Sequence, residues 1–152
     1  MDNNEFTRRI RYALRLDDEE TARLMRQVDF PVTLAQVSGY RCKEGEPEFQ
    51  HCPDDALLAL LDGLILDKRG PAPVPSTTGN APISNNLILK QLRIALSLRS
   101  DDIHELITEG GGKIGKSEAG AFFRSPQARN YRRCGDQVVR WFLTGLGNRR
   151  GQ

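Results

Sequence analysis

Apolar residues first recur at helical spacing near the start of the chain, where Phe6, Ile10, Ala13 and Leu14 stand at i, i+4, i+7 and i+8 with Arg8, Arg11 and Arg15 between them. That stripe predicts an amphipathic helix over residues 4–16. Asp17 with Glu20 reads as the capping signal of a second helix, whose apolar residues are Leu24, Met25 and Val28. Phe30-Pro31 is the turn after it, since proline cannot extend a helix. Thr33 with Gln36 then opens a short third helix through Tyr40. Residues 43–51 have no clean period and read as a loop pinned by Phe49. Beyond Pro53 comes the strongest stripe, Leu57, Leu60, Leu61, Leu64 and Ile65, a fourth helix.

The same pattern then returns. Residues 3–70 laid on 85–152 at a constant offset of 82 match at 12 of 68 positions without a gap. The identities are Asn3/Asn85, Asn4/Asn86, Arg11/Arg93, Ala13/Ala95, Leu14/Leu96, Leu16/Leu98, Leu24/Leu106, Cys52/Cys134, Asp54/Asp136, Leu61/Leu143, Gly63/Gly145 and Leu64/Leu146. Ile88, Leu92, Ala95 and Leu96 repeat the first stripe, and Val139, Phe142, Leu143 and Leu146 the last. The Asn pairs lie at the start of the first helix of each copy and read as N-caps, and Ser100 with Asp101 and Asp102 reads as the cap of the second copy's second helix. Gly110-Gly111-Gly112 is its closing turn, residues 117–124 are the third helix and residues 125–133 a loop pinned by Tyr131. Residues 70–82, with four prolines among Ser, Thr and Gly, read as an exposed linker.

The pattern therefore predicts an all-α protein, a tandem duplication of a roughly four-helix unit whose two similar halves pack into one globular protein. Its parts are a first repeat at 1–70, a linker at 71–82 and a second repeat at 83–152. Hydrophobic residues make up 38% of the chain and charged ones 28%, which places it among ordinary globular proteins rather than disordered ones. No apolar stretch approaches a membrane span, and Arg8, Arg9, Arg11 and Arg15 break any secretion signal, so a cytoplasmic location is expected. Three cysteines without close pairing motifs agree with a reducing compartment.

The Asn-Asn start, the Arg-x-Ala-Leu-x-Leu first helix, the aromatic-x-x-Cys-x-Asp entry and the Leu-x-Gly-Leu exit occur in both copies. Together they resemble the YehS-type family of two-repeat bacterial proteins. The resemblance covers nearly the whole chain and implies a tandem helical repeat in a cytoplasmic protein. It brings no catalytic residue or cofactor to carry over.

Candidate chemistry is sparse. Cys52-Pro53-Asp54 and Cys134-Gly135-Asp136 each open a last helix, where a thiol pKa can fall and the sulfur can serve as nucleophile or metal ligand. Against this, cysteine is among the most buried residue types, and an Asp in a first helical turn is ordinary dipole complementation. Cys52, Asp54, Cys134 and Asp136 are therefore expected to be structural. His51 with Cys42 and Cys52 lacks the spacing of a four-ligand zinc site, and the second copy has Arg133 where the first has His51, so no metal and no cofactor is expected. Residues 110–117 satisfy the phosphate-loop string literally, yet they follow a helix rather than a strand, and no parallel sheet is readable. The protein is expected not to be an enzyme.

Charge carries the functional signal. Residues 1–70 hold 10 Lys/Arg against 14 Asp/Glu, a net of −4, and residues 71–152 hold 12 against 6, a net of +6. The positive excess includes Arg124, Arg129, Arg132, Arg133 and Arg140, interleaved with aromatics. Two readings follow. The leading one is a binding or regulatory protein that acts through contacts with a protein partner, its opposite charges met within one molecule or between two copies as a homodimer. The alternative is nucleic-acid binding through the basic second repeat. No membrane partner is expected.

Overall fold

In a computed structural model, residues 1–71 and 83–150 are described, and they are all-α, with eight helices and no strand among the described residues. The chain divides into two compact units, Met1–Pro82 and Ile83–Gln152. The first unit holds α1 (Asn3–Leu14), α2 (Asp18–Gln27), α3 (Leu34–Tyr40) and α4 (Asp54–Arg69), and the second holds α5 (Asn85–Ala95), α6 (Ser100–Glu109), α7 (Lys116–Ala121) and α8 (Asp136–Arg150). All but one residue of the proline-rich segment 71–82 lie outside the described residues.

In the first unit α2 packs along α4, while α1 lies against α4 and α3. The core is built largely on residues that the helical period marks, with Ile10, Leu24, Leu57, Leu60, Leu61 and Leu64 all but inaccessible to solvent, while Val28 is only half-buried and Val32, Val37 and Leu58 join the core. The second unit repeats this arrangement, with α6 along α8 and α5 against α8, around Ile88, Leu92, Ile103, Leu106, Val139 and Phe142. Leu14, Leu61, Leu64, Leu143 and Leu146 are buried, but Leu96 is half-buried because α5 ends one residue before it.

The paired helices approach closely at an equivalent glycine in each unit, and in the second unit also at Gly110, the C-cap of α6, which abuts the Trp141 carbonyl. A Cβ on Gly63 would stand 2.3 Å from the carbonyl oxygen of Leu24, and one on Gly145 would stand 2.0 Å from that of Leu106. Two of the repeat identities, Leu24/Leu106 and Gly63/Gly145, are thus one contact made twice, which explains why neither glycine is replaced by a better helix former.

Helix ends also repeat. α1 closes on Arg15 in the left-handed region (φ 57°), and α5 on Ser97 (φ 55°), one residue beyond its C-cap. In both, an amide reaches back to the first-helix arginine carbonyl, Leu16 to Arg11 at 2.9 Å and Leu98 to Arg93 at 3.0 Å. α2 is followed by Asp29 (φ 62°) and α6 by Gly111 (φ 103°), with Phe30 N–H bonded to Met25 O and Gly112 N–H to Ile107 O.

The glycine run at 110–112 is therefore the same helix-terminating turn as residues 28–30. Its glycines also make room for a neighbour, because a Cβ on Gly112 would meet the Trp141 ring at 2.6 Å. At the corresponding positions the first copy has Phe30 and Ala59, with the large and small residues exchanged. Glycines 110–112 of the phosphate-loop string are accounted for by this turn and its packing, while Gly115 is the N-cap of α7.

Several caps differ from the reading of the sequence. The N-cap of α1 is Asp2, whose carboxylate accepts from Glu5 N–H at 2.7 Å, and that of α5 is Ser84, whose hydroxyl accepts from Leu87 N–H at 3.1 Å. The Asn pairs are the first two helical residues, with their side chains directed elsewhere. At α6 the flanking residue is Arg99, its N–H held by the Asp102 carboxylate at 2.7 Å, so that Ser100 lies inside the helix. α7 ends at Ala121 rather than at residue 124. The Thr33–Gln36 capping box forms as the sequence indicates.

Candidate functional site

The Asn pair at the start of each first helix holds the segment that enters each last helix. Asn4 donates to the carbonyls of Tyr40 (3.0 Å) and Gln50 (2.8 Å), and its own carbonyl accepts from Cys52 N–H (2.9 Å). One buried amide thus ties α1 to the end of α3 and to the returning chain before α4. Asn3 donates to Cys52 O (3.1 Å) and to the Asp54 carboxylate (2.6 Å).

The second unit repeats every bond. Asn86 donates to Phe122 O (3.0 Å) and Arg132 O (2.9 Å) and accepts from Cys134 N–H (2.9 Å), while Asn85 donates to Cys134 O (2.9 Å) and the Asp136 carboxylate (2.8 Å). The Asn pair and the Cys and Asp 48 to 51 residues beyond it within each copy form one clamp.

The thiols are interior groups. Burial, the largest influence, pushes Cys52 up to about 11, opposed by the Thr7 hydroxyl 3.4 Å away. In the second unit Leu89 stands where Thr7 does, and burial pushes Cys134 up to about 12, with Asp136 adding to the rise. Both sulfurs are protonated at neutral pH, the opposite of an activated nucleophile. Cys42 is buried too, its thiol against Ser38 O at 3.3 Å, while His51 is exposed. His104 bonds Ile114 O at 2.9 Å. Among the described residues no group of three or more His, Cys, Asp or Glu is gathered as metal ligands would be.

Each clamp closes the base of a loop, residues 41–53 between α3 and α4 and residues 122–135 between α7 and α8. The two loops share their backbone bonds: Glu46 to Lys43, Phe49 to Glu46 and Gln50 to Gly39 in the first, and Ala128 to Ser125, Tyr131 to Ala128 and Arg132 to Ala121 in the second. Phe49 and Tyr131 are half-buried at equivalent places and anchor them. What the loops display differs. The first exposes Glu44, Glu46 and Glu48, where the second has Pro126, Ala128 and Asn130. It also exposes Arg41 and Lys43, for a net charge of −1, and the Glu46 carboxylate accepts from Lys43 N–H at 2.6 Å. The second exposes Arg124, Arg129, Arg132 and Arg133, where the first has Cys42, Pro47, Gln50 and His51.

Of these arginines, Arg124 donates to Asn130 O at 3.1 Å and Arg132 pairs with Glu118 at 3.4 Å, both within their own unit. Arg129 and Arg133 pair with no carboxylate among the described residues. Arg140 stands apart from them, half-buried on α8 one turn after Asp136, and Arg149 is paired with Glu109 (2.8 Å) and Glu105 (3.6 Å). From residue 113 to 133 there are six Lys/Arg against the single acid Glu118.

The first-helix arginine serves the scaffold. Arg11 is buried and reaches Leu16 O (3.2 Å), Val37 O (3.3 Å) and the Asp18 carboxylate (2.6 Å), which also meets Arg41 at 3.3 Å. Arg93 keeps the bond to Leu98 O (3.2 Å), but Ser100 replaces Asp18 and Phe123 replaces Arg41, so its guanidinium lies 4.6 Å from the Phe123 ring centre instead.

Comparison with known proteins agrees with this doubled construction. The family described as "protein of unknown function (DUF1456)" matches residues 3–70 and again residues 85–151. The chain belongs to that family. It is 38% identical over 148 residues to the uncharacterized protein YehS of Escherichia coli (strain K12), an alignment covering 97% of this chain and 95% of YehS. No solved structure matches it. Among the described residues no helix is long and apolar enough to cross a membrane.

Proposed function

We propose that this protein is a non-enzymatic binding module that acts through protein contacts, using the two clamped loops as its contact surfaces. The observation that carries the reading is the contrast within the repeat: the clamp and the loop backbone bonds are duplicated bond for bond, while the net charge displayed changes sign, from −1 over residues 41–53 to +4 over residues 122–135. Selection for catalysis would leave polar groups with activated pKa values converging on a cleft. Here the repeated Cys, Asp and Asn groups are taken up by one another, and the thiols are shifted away from reactivity. The reading is tested by affinity purification of the native protein, with bound protein and bound nucleic acid both identified. A saturable protein partner, lost when loop charges are reversed, is the expected result, and recovery of no partner counts against it.

A second reading has an observation of its own, the six cations against one acid at residues 113–133 with Arg129 and Arg133 exposed. Such a surface suits a phosphate backbone. If it binds RNA or DNA, affinity falls steeply with salt, and Arg129→Glu with Arg132→Glu weakens binding across sequences and flattens the log–log slope by about one unit per lost contact.

A further inference from the structure

The two loops are built on one frame and carry complementary charge, so the partner that fits each of them is present in every molecule. We propose that two copies of this chain associate reciprocally, the acidic loop of each (Glu44, Glu46, Glu48) lying against the basic loop (Arg124, Arg129, Arg132, Arg133) of the other. This rests on the reading of the protein as a module for protein contacts and names the partner.

Three features carry it. All seven side chains are exposed. Each set projects from a loop whose ends are fixed by a buried or half-buried asparagine, so the charges are presented on an ordered backbone rather than on a free tail, which lowers the ordering cost of association. Beside the acidic loop lies an open groove of about 500 Å³, lined by Ala35, Ser38, Pro47, Glu48, Phe49 and Gln50. Its lining is mixed, with Ala35, Pro47 and Phe49 able to take the methylene stem of an arginine whose guanidinium meets Glu48.

Reciprocity follows from duplication. A contact between an acidic loop and a basic loop is heterologous, but a two-fold axis relating two chains that each hold both loops makes it twice and closes the assembly as a dimer. Two weak, exposed charge contacts acting together form an association that salt dissolves.

Sedimentation of the full chain, freed of nucleic acid, tests this at about 50 mM and about 500 mM salt, where the screening length falls from well above to below the reach of a loop contact. The expected result is twice the monomer mass at low salt and the monomer at high salt. Glu44→Lys/Glu46→Lys/Glu48→Lys makes both loops basic, and Arg124→Glu/Arg129→Glu/Arg132→Glu/Arg133→Glu makes both acidic. Each variant alone is then monomeric at low salt, and an equal mixture of the two gives a mixed dimer.

Because the Arg→Glu set also breaks the Arg132–Glu118 pair, the corresponding Arg→Gln set, with circular dichroism as a check of folding, gives a second route to the loss of self-association. Wild-type protein that stays monomeric at low salt overturns the proposal, as does a dimer that persists in both single-sign variants. A mass increase that nuclease treatment abolishes assigns the basic loop to nucleic acid and overturns it as well. In each of these cases the wider reading is still decided by whether affinity purification recovers another protein partner.

Discussion

Gly63 on α4 faces the backbone carbonyl of Leu24 on α2 so closely that a Cβ would intrude to 2.3 Å from its oxygen, and Gly145 stands in the same relation to Leu106 at 2.0 Å. Helix pairs can approach this far only where no side chain intervenes. Gly63→Ala and Gly145→Ala are therefore expected to push the paired helices apart and to destabilise the fold by about 1–3 kcal/mol, although alanine is the better helix former. Gly120→Ala is the control, since nothing lies within 4 Å of a Cβ there, and in that helix it is expected to add about 0.5–1 kcal/mol. Urea midpoints of the three variants decide the matter.

The asparagine clamp makes a different prediction. Replacing Asn4 or Asn86 by Ala leaves two carbonyls and one amide without their partner at each site. A cost of about 1–3 kcal/mol is expected for orphaning such groups. Asn4 is 4% exposed and Asn86 is only half-buried, so water replaces more of the lost bonds in the second unit and Asn4→Ala is expected to cost more. Hydrogen exchange reads the same event locally, as faster exchange of the Cys52 or Cys134 amide.

The buried thiols bear on alkaline stability. The ordinary thiol value is 9.0, and burial moves Cys52 to about 11 and Cys134 to about 12. Above pH 9 the unfolded chain loses these protons before the folded one does, so the stabilisation is complete below pH 9 and declines as pH rises towards 11 and 12. Cys52→Ala and Cys134→Ala are expected to flatten that decline while lowering stability at neutral pH. Native protein at neutral pH is expected to alkylate slowly at Cys52 and Cys134, and rapidly once unfolded.

How much of this was legible in the sequence depended on whether an interaction was local. The helices and their buried faces follow from the 3.6-residue period, and the loops from its absence at residues 43–51 and 125–133. The Asn pairs read as N-caps from sequence because asparagine is a common N-cap, and a cap is the nearest explanation for one at a helix start. Their true partners lie 36 to 51 residues away, a distance at which composition and period are silent. One signal was available: Asn-Asn, Cys and Asp keep their mutual spacing in both copies. Gly63 and Gly145 stood out as identities, but only the crossing of α2 with α4 and of α6 with α8 gives the reason. Charge counting found the basic loop yet placed Arg140 with it, because it could not separate loop side chains from an arginine on α8.

A fixed scaffold displays two loops of different charge, and a chimera tests that division most directly. Residues 125–133 are replaced by the sequence of residues 43–51, which gives the chain two acidic loops, and affinity purification is compared between chimera and wild type. Because the loops share clamp and backbone bonds, the chimera is predicted to keep a urea midpoint within about 1 kcal/mol of wild type, as surface changes away from packing do. It is predicted at the same time to lose the partners that the basic loop recovers. A chimera that still recovers those partners, or one that cannot fold, would contradict the account.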